Sequence, residues 1–324
     1  MGGGLAEAKQ LESELAEFIG KSHVVLFPTG WGAGYGAIKS LVRPADHVVI
    51  DALAHDCLQQ GARSSGAAVT PFIHNDLNSL EKRLRRIRNG FVAGAVLVVT
   101  ESLYSMDSDH PAFSAGAEIC RHFDAQLLVD VAHDLGVLGP GGRGVLHESN
   151  AMHHADIVIG SFSKSFACLG GFVATNSKAA SYYVRGFSGT YTFSNYLMPA
   201  PVASVRAALN IIRSPEGDQL RADVLRNSEL LRSALRDAGL TVIGRCSPIV
   251  LPMIGAEATA RLAQRTCLRN GLIVNSIEFP ACRMGEARFR LQVSPHFDRA
   301  TLETAATTVA AAVSSASLLT SSQA

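Results

Sequence analysis

The first rhythm along the chain is helical. Leu11, Leu15, Phe18 and Ile19 fall on one face, and Gly20 follows where a C-cap belongs. Short apolar runs then alternate with helical patterns, as in a mainly parallel α/β sheet. Ala95–Thr100, Gln126–Asp130 and Asp156–Gly160 are near-continuous apolar runs, the composition of strands covered on both faces. Helical patterns lie between them, around Leu77–Arg88 and Ala112–Phe123. The pattern changes after Ser214-Pro215. A long helix over roughly Asp218–Gly239 leads into apolar runs at Thr241–Gly244, Ile249–Pro252 and Gly271–Val274. Arg288–Val293 alternates polar with apolar residues, which predicts a half-exposed strand of an antiparallel sheet. The serine-rich end, Ser314–Ala324, reads as low-complexity and frayed.

Length and charge narrow the picture. A chain of 324 residues exceeds the size at which single cores stop growing, so the change of pattern is read as a boundary: a large domain over 1–214 and a small α+β domain over 215–324. With 47% hydrophobic and 18% charged residues, both can bury a core. Lys and Arg (29) almost balance Asp and Glu (28), which argues against a nucleic-acid or membrane-surface binder. No apolar run is read as long enough to span a membrane, and Met1–Leu5 does not open a secretory signal. Six cysteines are scattered without a C-x-x-C pair, which reads as reduced and cytoplasmic.

Candidate chemistry gathers at or just past the ends of predicted strands, where open α/β sheets bind ligands. Phe27-Pro-Thr-Gly-Trp-Gly-Ala-Gly-Tyr-Gly36 runs straight into a helix; Thr29 is a candidate N-cap, and the Gly30 and Trp31 amides face the position of an anion. Alone, the segment fits a flexible turn better. Asp130-Val-Ala-His133 ends the most apolar strand; its carboxylate suits a cationic ring nitrogen, or simply caps the following turn. Lys164 sits among small and apolar residues in Gly160–Gly171, where partial desolvation would make it a competent Schiff-base amine; a solvated loop lysine is the commoner case for any single Lys. Arg288 and Arg290 share one face of their strand, and an inward-directed arginine clamps a carboxylate. Together, an anion cradle, a strand-end carboxylate, an amine and a guanidinium describe pyridoxal 5′-phosphate (PLP) chemistry.

On these residues the chain resembles the α-oxoamine synthase family, fold-type I PLP enzymes with an aminotransferase-like large domain and a smaller C-terminal domain. The motifs that carry the likeness are Glu101-x3-Ser-Met-Asp107, Asp130-x2-His133, Gly139-x2-Gly-Arg-Gly144 and Ser161-x2-Lys164. The resemblance implies that Lys164 bears the cofactor and moves the substrate α-proton. It puts Asp130 on the pyridinium nitrogen, His133 and Ser105 by the phenolic oxygen, and His55 stacked on the ring. Gly30, Trp31 and Ser161 match phosphate-binding positions. Ser194 matches one that reaches the phosphate from the other subunit, which implies a homodimer. Arg290, rather than Arg288, matches the carboxylate-binding residue. The implied reaction condenses a small amino acid with an acyl thioester, of CoA or acyl carrier protein, and decarboxylates to an α-amino ketone.

This chain departs from the family pattern at Val131, at Ala54 and Asp56-Cys57 around His55, and at Trp31 and Gly32–Gly34. The family's N-terminal substrate-binding segment has no counterpart here, so the alternative is another reaction on the same cofactor: aldolase, aminotransferase or decarboxylase. A reading from another class makes Asp130, His133, His153, His154 and Asp156 the ligands of a hydrolytic zinc, but leaves Lys164 and the glycine turn without a role. An idle dimerisation partner would lack the lysine, and Lys164 is present.

Overall fold

The structure is a computed structural model that describes residues 6–90 and 94–321. Met1–Leu5, read above for a signal, lies outside the described residues. Two compact units divide the chain. The first runs to Tyr104 and resumes over His110–Pro215; the second takes Ser105–Asp109 together with everything from Glu216 on.

In chain order the first unit forms α1 (Ala6–Ile19), β1 (His23–Phe27), α2 (Gly30–Leu41), β2 (His47–Asp51), α3 (Asp56–Ser65), β3 (Ala68–Phe72) and α4 (Leu77–Asn89). There follow β4 (Val96–Glu101), α5 (Phe113–His122), β5 (Ala125–Asp130), α6 (Val145–Glu148), β6 (Ile157–Ser161) and β7 (Gly171–Thr175). Three helices complete it: α7 (Lys178–Phe187), α8 (Gly189–Thr192) and α9 (Pro199–Ile212). The sheet order is β1-β7-β6-β5-β4-β2-β3. From β6 to β3 all pairings are parallel, while β7 runs antiparallel to both neighbours. Consequently β1 points the same way as β6, and the carboxyl ends of β1, β2, β4, β5 and β6 share one edge.

Local chemistry follows the sheet. All six residues of β4, in the middle, are buried, which explains its unbroken apolar run. β3 lies at the edge and can carry Pro71, whose missing N–H would break an inner ladder. The core packs Ala33, Ala37 and Ile38 of α2 with Val99, Leu128 and Ile159 of three central strands.

The second unit holds α10 (Pro215–Asp237), β8 (Val242–Ile243), β9 (Ile249–Gly255), α11 (Glu257–Arg269), β10 (Asn275–Ile277), β11 (Ala287–Gln292) and α12 (Arg299–Ser321). Its sheet, β10-β11-β9-β8, is antiparallel throughout. Three expectations are corrected here. Gly271–Val274 is not a strand: Gly271 turns the chain at φ 78°, Ile273 is exposed, and β10 begins only at Asn275. Ser314–Ser321 does not fray but ends α12; residues 322–324 lie outside the described part. Finally, Arg299–Thr320 is long and apolar enough to cross a membrane by length and composition, with mean hydropathy 1.3. Leu302, Ala306, Val309, Val313 and Ala316 repeat at helical spacing and are buried, and the helix packs on α11.

Candidate active site

Five strand ends on the common edge supply the residues of one cleft of about 290 Å³ in the first unit. Behind β1, Thr29 is extended (φ −146°) and caps α2, its Oγ1 accepting from the Gly32 amide at 2.9 Å. The amides of Gly30 and Trp31 precede the first bond within the helix, so they remain donors at the positive end of its dipole. Gly30 is demanded by close approach. A Cβ there would lie 2.4 Å from Ser161 Cβ, so glycine lets Ser161 come against the start of α2. The next glycines serve helix packing. A Cβ on Gly34 would lie 2.6 Å from Cys57 Sγ, so Gly34 lets α2 cross α3.

Behind β2, His55 caps α3 and opens on to the cleft. Its main-chain N–H donates to Glu101 Oε1 at 2.6 Å. Its Nδ1 accepts from the Cys57 amide at 3.3 Å and lies 3.0 Å from the Cys57 thiol. Partial burial, then the Lys164 ammonium, hold the ring below the usual histidine range, hence neutral at pH 7. Glu101 and Asp130 end β4 and β5 in register. Burial, and then Asp130, push the Glu101 carboxyl well up. Burial drives Asp130 from 3.8 to about 7; Asp134 adds to the rise, while the Ala132 amide at 2.9 Å and Lys164 oppose it. Half-buried His133 lines the same cleft.

Lys164 stands in the loop after β6, between the buried anchors Phe162 and Phe166, and its Nζ donates to Ser163 Oγ at 3.1 Å. It is exposed, not desolvated as its apolar neighbours predicted, because those phenyl rings point into the core and the amine does not. Ser161 Oγ lies 2.8 Å from Ser163 Oγ.

Gly30, Trp31, His55, Asp130, His133, Ser161 and Lys164 therefore meet in one cleft. Ser194 is exposed elsewhere in the first unit, its hydroxyl donating to the Thr190 carbonyl. Ser105 and Arg290 belong to the second unit, where Arg290 Nε donates to the Ser105 carbonyl at 3.0 Å. The half-exposed strand foreseen for Arg288 is corrected: this arginine is buried, donating to the Met106 carbonyl and to Asp107 Oδ1 at 2.6 Å. Arg290, half-buried, has no carboxylate partner among the described residues, so its guanidinium keeps capacity for one. The zinc reading fails on topology. Asp130 ends β5 and His133 follows it, whereas His153, His154 and Asp156 precede the amino end of β6. Among the described residues no group of three or more His, Cys, Asp or Glu could hold a metal.

Three residues have contacts that the sequence reading did not foresee. Glu101 and Cys57 line the cleft and grip His55. Asp134, fully buried, accepts from Ser102 Oγ at 2.5 Å and the Val145 amide at 2.6 Å. It explains the Gly139–Gly144 motif: Gly144 has φ 89°, and a Cβ there would lie 2.8 Å from Asp134 Oδ2. Glu101 stood in the Glu101-x3-Ser-Met-Asp107 motif, whereas nothing in the sequence marked Cys57 or Asp134 for these contacts.

The family Aminotransferase class I and II matches residues 4–309. The chain is 34% identical over 300 residues to an 8-amino-7-oxononanoate synthase of Geobacter sulfurreducens, covering 93% of this chain and 76% of that one. It is 35% identical over 285 residues to a serine palmitoyltransferase of Caulobacter vibrioides, covering 88% and 69%. A serine palmitoyltransferase from S. paucimobilis, solved with PLP and myriocin bound, superposes with a TM-score of 0.91 at 29% identity, over 98% of this chain and 78% of that one. The chain belongs to the aminotransferase class I and II family, in the α-oxoamine synthase branch that these relatives represent.

Proposed function

We propose that the cleft holds PLP and that the enzyme joins a small amino acid to an acyl thioester, of CoA or acyl carrier protein, releasing carbon dioxide and the thiol and forming an α-amino ketone. One observation carries the reading: a primary amine, a buried carboxyl and a glycine-serine anion cradle converge on a single cleft. The residues fit the cofactor. The close approach of Gly30 to Ser161 brings the free amides at the start of α2 and the Ser161 hydroxyl together on the cleft lining, as donors for a phosphate. Asp130, buried with only the Ala132 amide on its carboxyl among the described residues, suits a cationic ring nitrogen.

When bound, PLP supplies an electron sink for the carbanion at the amino acid's α-carbon. Lys164 Nζ would hold it covalently and, as a free amine, would move the substrate's α-proton. Asp130 would keep a proton on its ring nitrogen. His55 would pack against its ring, and the Gly30 and Trp31 amides with Ser161 Oγ would donate to its phosphate. His133 and Ser105 are assigned to the phenolic oxygen, and Arg290 to the substrate carboxylate. Ser194 is assigned to the phosphate of a second copy, so the working unit is a homodimer. All six cysteines are free, which supports a cytoplasmic setting.

Incubation with small amino acids and acyl thioesters tests the reaction: free thiol should appear only when both are present. Silence with every acyl donor would sink it. Borohydride reduction and peptide mapping should find pyridoxyl-lysine at Lys164, and Lys164→Ala should lose both that peptide and the visible absorption band.

A further inference from the structure

His55 is gripped at three points by residues with no assigned role. Its main-chain N–H ends on Glu101 Oε1 at 2.6 Å, and its Nδ1 faces both the amide (3.3 Å) and the thiol (3.0 Å) of Cys57. We propose that Cys57 and Glu101 are positioning residues for His55: Cys57 holds Nδ1 as an acceptor, so that the ring carries its proton on Nε2, and Glu101 fixes the main chain from which the ring projects. The inference rests on the PLP reading for what His55 touches, and on geometry alone for how it is held.

An N–H aimed at Nδ1 requires a lone pair there, which in a neutral imidazole places the proton on Nε2. The thiol acts in the same sense. Cys57 is buried, and its environment of Asp130, Glu101 and Asp56 carboxyls keeps the sulfur protonated, so it is a donor and not a nucleophile. It also cannot drift. Its Sγ lies where a Cβ on Gly34 would be 2.6 Å away, so α2 walls it in. The Glu101 contact is short, and the carboxyl is buried at the end of a strand whose residues are all buried, so that anchor is rigid too. The chain thereby combines two rigid elements, β4 and α3, to orient one ring.

Histidine-selective ¹⁵N NMR of the full chain, with the His55 signal assigned through His55→Asn, reads the ring directly. In wild type His55 should show an acceptor Nδ1 and a protonated Nε2 near neutral pH. Cys57→Ala removes the nearer donor and leaves the more distant amide, so the His55 pKa should rise; Cys57→Ser restores a donor and should reverse the rise. In the holoenzyme Cys57→Ala and Glu101→Ala should lower kcat on the order of tenfold with the amino-acid KM little changed. Glu101→Gln, which keeps an acceptor, should recover most of that loss. An unmoved His55 spectrum in Cys57→Ala with unchanged kcat overturns the proposal, as does a Cys57→Ser variant no better than Cys57→Ala. Trp31, the only tryptophan, lines the cleft, so quenching of its fluorescence by added PLP reports binding independently. Wild type without quenching strikes the cofactor reading, whereas normal quenching with an unmoved ring strikes the clamp alone.

Discussion

Asp130 has two opposing sets of neighbours, and their balance makes a prediction. Burial and Asp134 favour its neutral form; Lys164 and the Ala132 amide favour the anion; the result is a carboxyl raised from 3.8 to about 7. In the window between those values the folded apoprotein retains a proton that the unfolded chain has released. Stability from this group is therefore complete below about pH 4 and is lost as pH rises through about 7. Melting curves of the apoprotein should fall across that window, and Asp130→Asn, which cannot titrate, should flatten the fall. PLP binding has the reverse slope, because only the anion pairs with a protonated ring nitrogen; affinity should rise with pH up to about 7 in wild type and lose that dependence in Asp130→Asn. An identical pH profile in the variant would remove the role assigned to this carboxyl.

At the scale of elements, the start of α2 is the most tightly specified joint of the site. Any side chain at Gly30 meets Ser161, and Gly171 is equally confined, since a Cβ there would lie 2.5 Å from Gly30 Cα. Gly30→Ala should cost about 1–3 kcal/mol of stability, the usual range for forcing a methyl into packed structure. It should also weaken PLP binding at least about tenfold, since the amides move from Ser161. Full affinity in Gly30→Ala would show that the cradle lies elsewhere. The same joint shows how much was legible beforehand. Lys164 and Asp130 could be found because buried strands write themselves as unbroken apolar runs, and their ends mark the ligand edge. The contacts of Cys57, Glu101 and Asp134 could not, because they fall on a ring nitrogen and main-chain amides whose directions exist only after β4, α3 and the Gly139–Gly144 turn have folded. Ser105–Asp109 was equally hidden: its place in the second unit comes from Arg288 bonding Met106 and Asp107, a contact between residues about 180 positions apart. Composition misled twice. Gly271–Val274 is apolar yet turns, and the Ala- and Ser-rich end of α12 looks simple in composition yet keeps helical spacing.

For the whole molecule the open question is how many copies make one site. The segment from α7 to the start of α9 exposes Tyr182, Phe187, Met198 and Phe193, the last 86% accessible, and carries Ser194 among them. Exposed large apolar side chains are what a contact between copies would cover, and Ser194 is the residue assigned to another copy's phosphate. A homodimer sharing its sites makes a prediction that a monomer cannot meet. Ser194→Asp should repel the phosphate and inactivate the site it serves, while Lys164→Ala inactivates the site in its own chain. Refolded together at equal concentration, the two inactive variants should form mixed dimers in which one of two sites is intact: the Lys164→Ala chain lends its Ser194 to the chain that still has Lys164. Activity should return to about a quarter of wild type, since half the dimers are mixed and each has one working site. Light scattering should find twice the chain mass of 34.3 kDa, and Phe193→Asp should shift it towards one. If mixing restores nothing although mixed dimers form, Ser194 serves its own chain, and the site is complete within one copy.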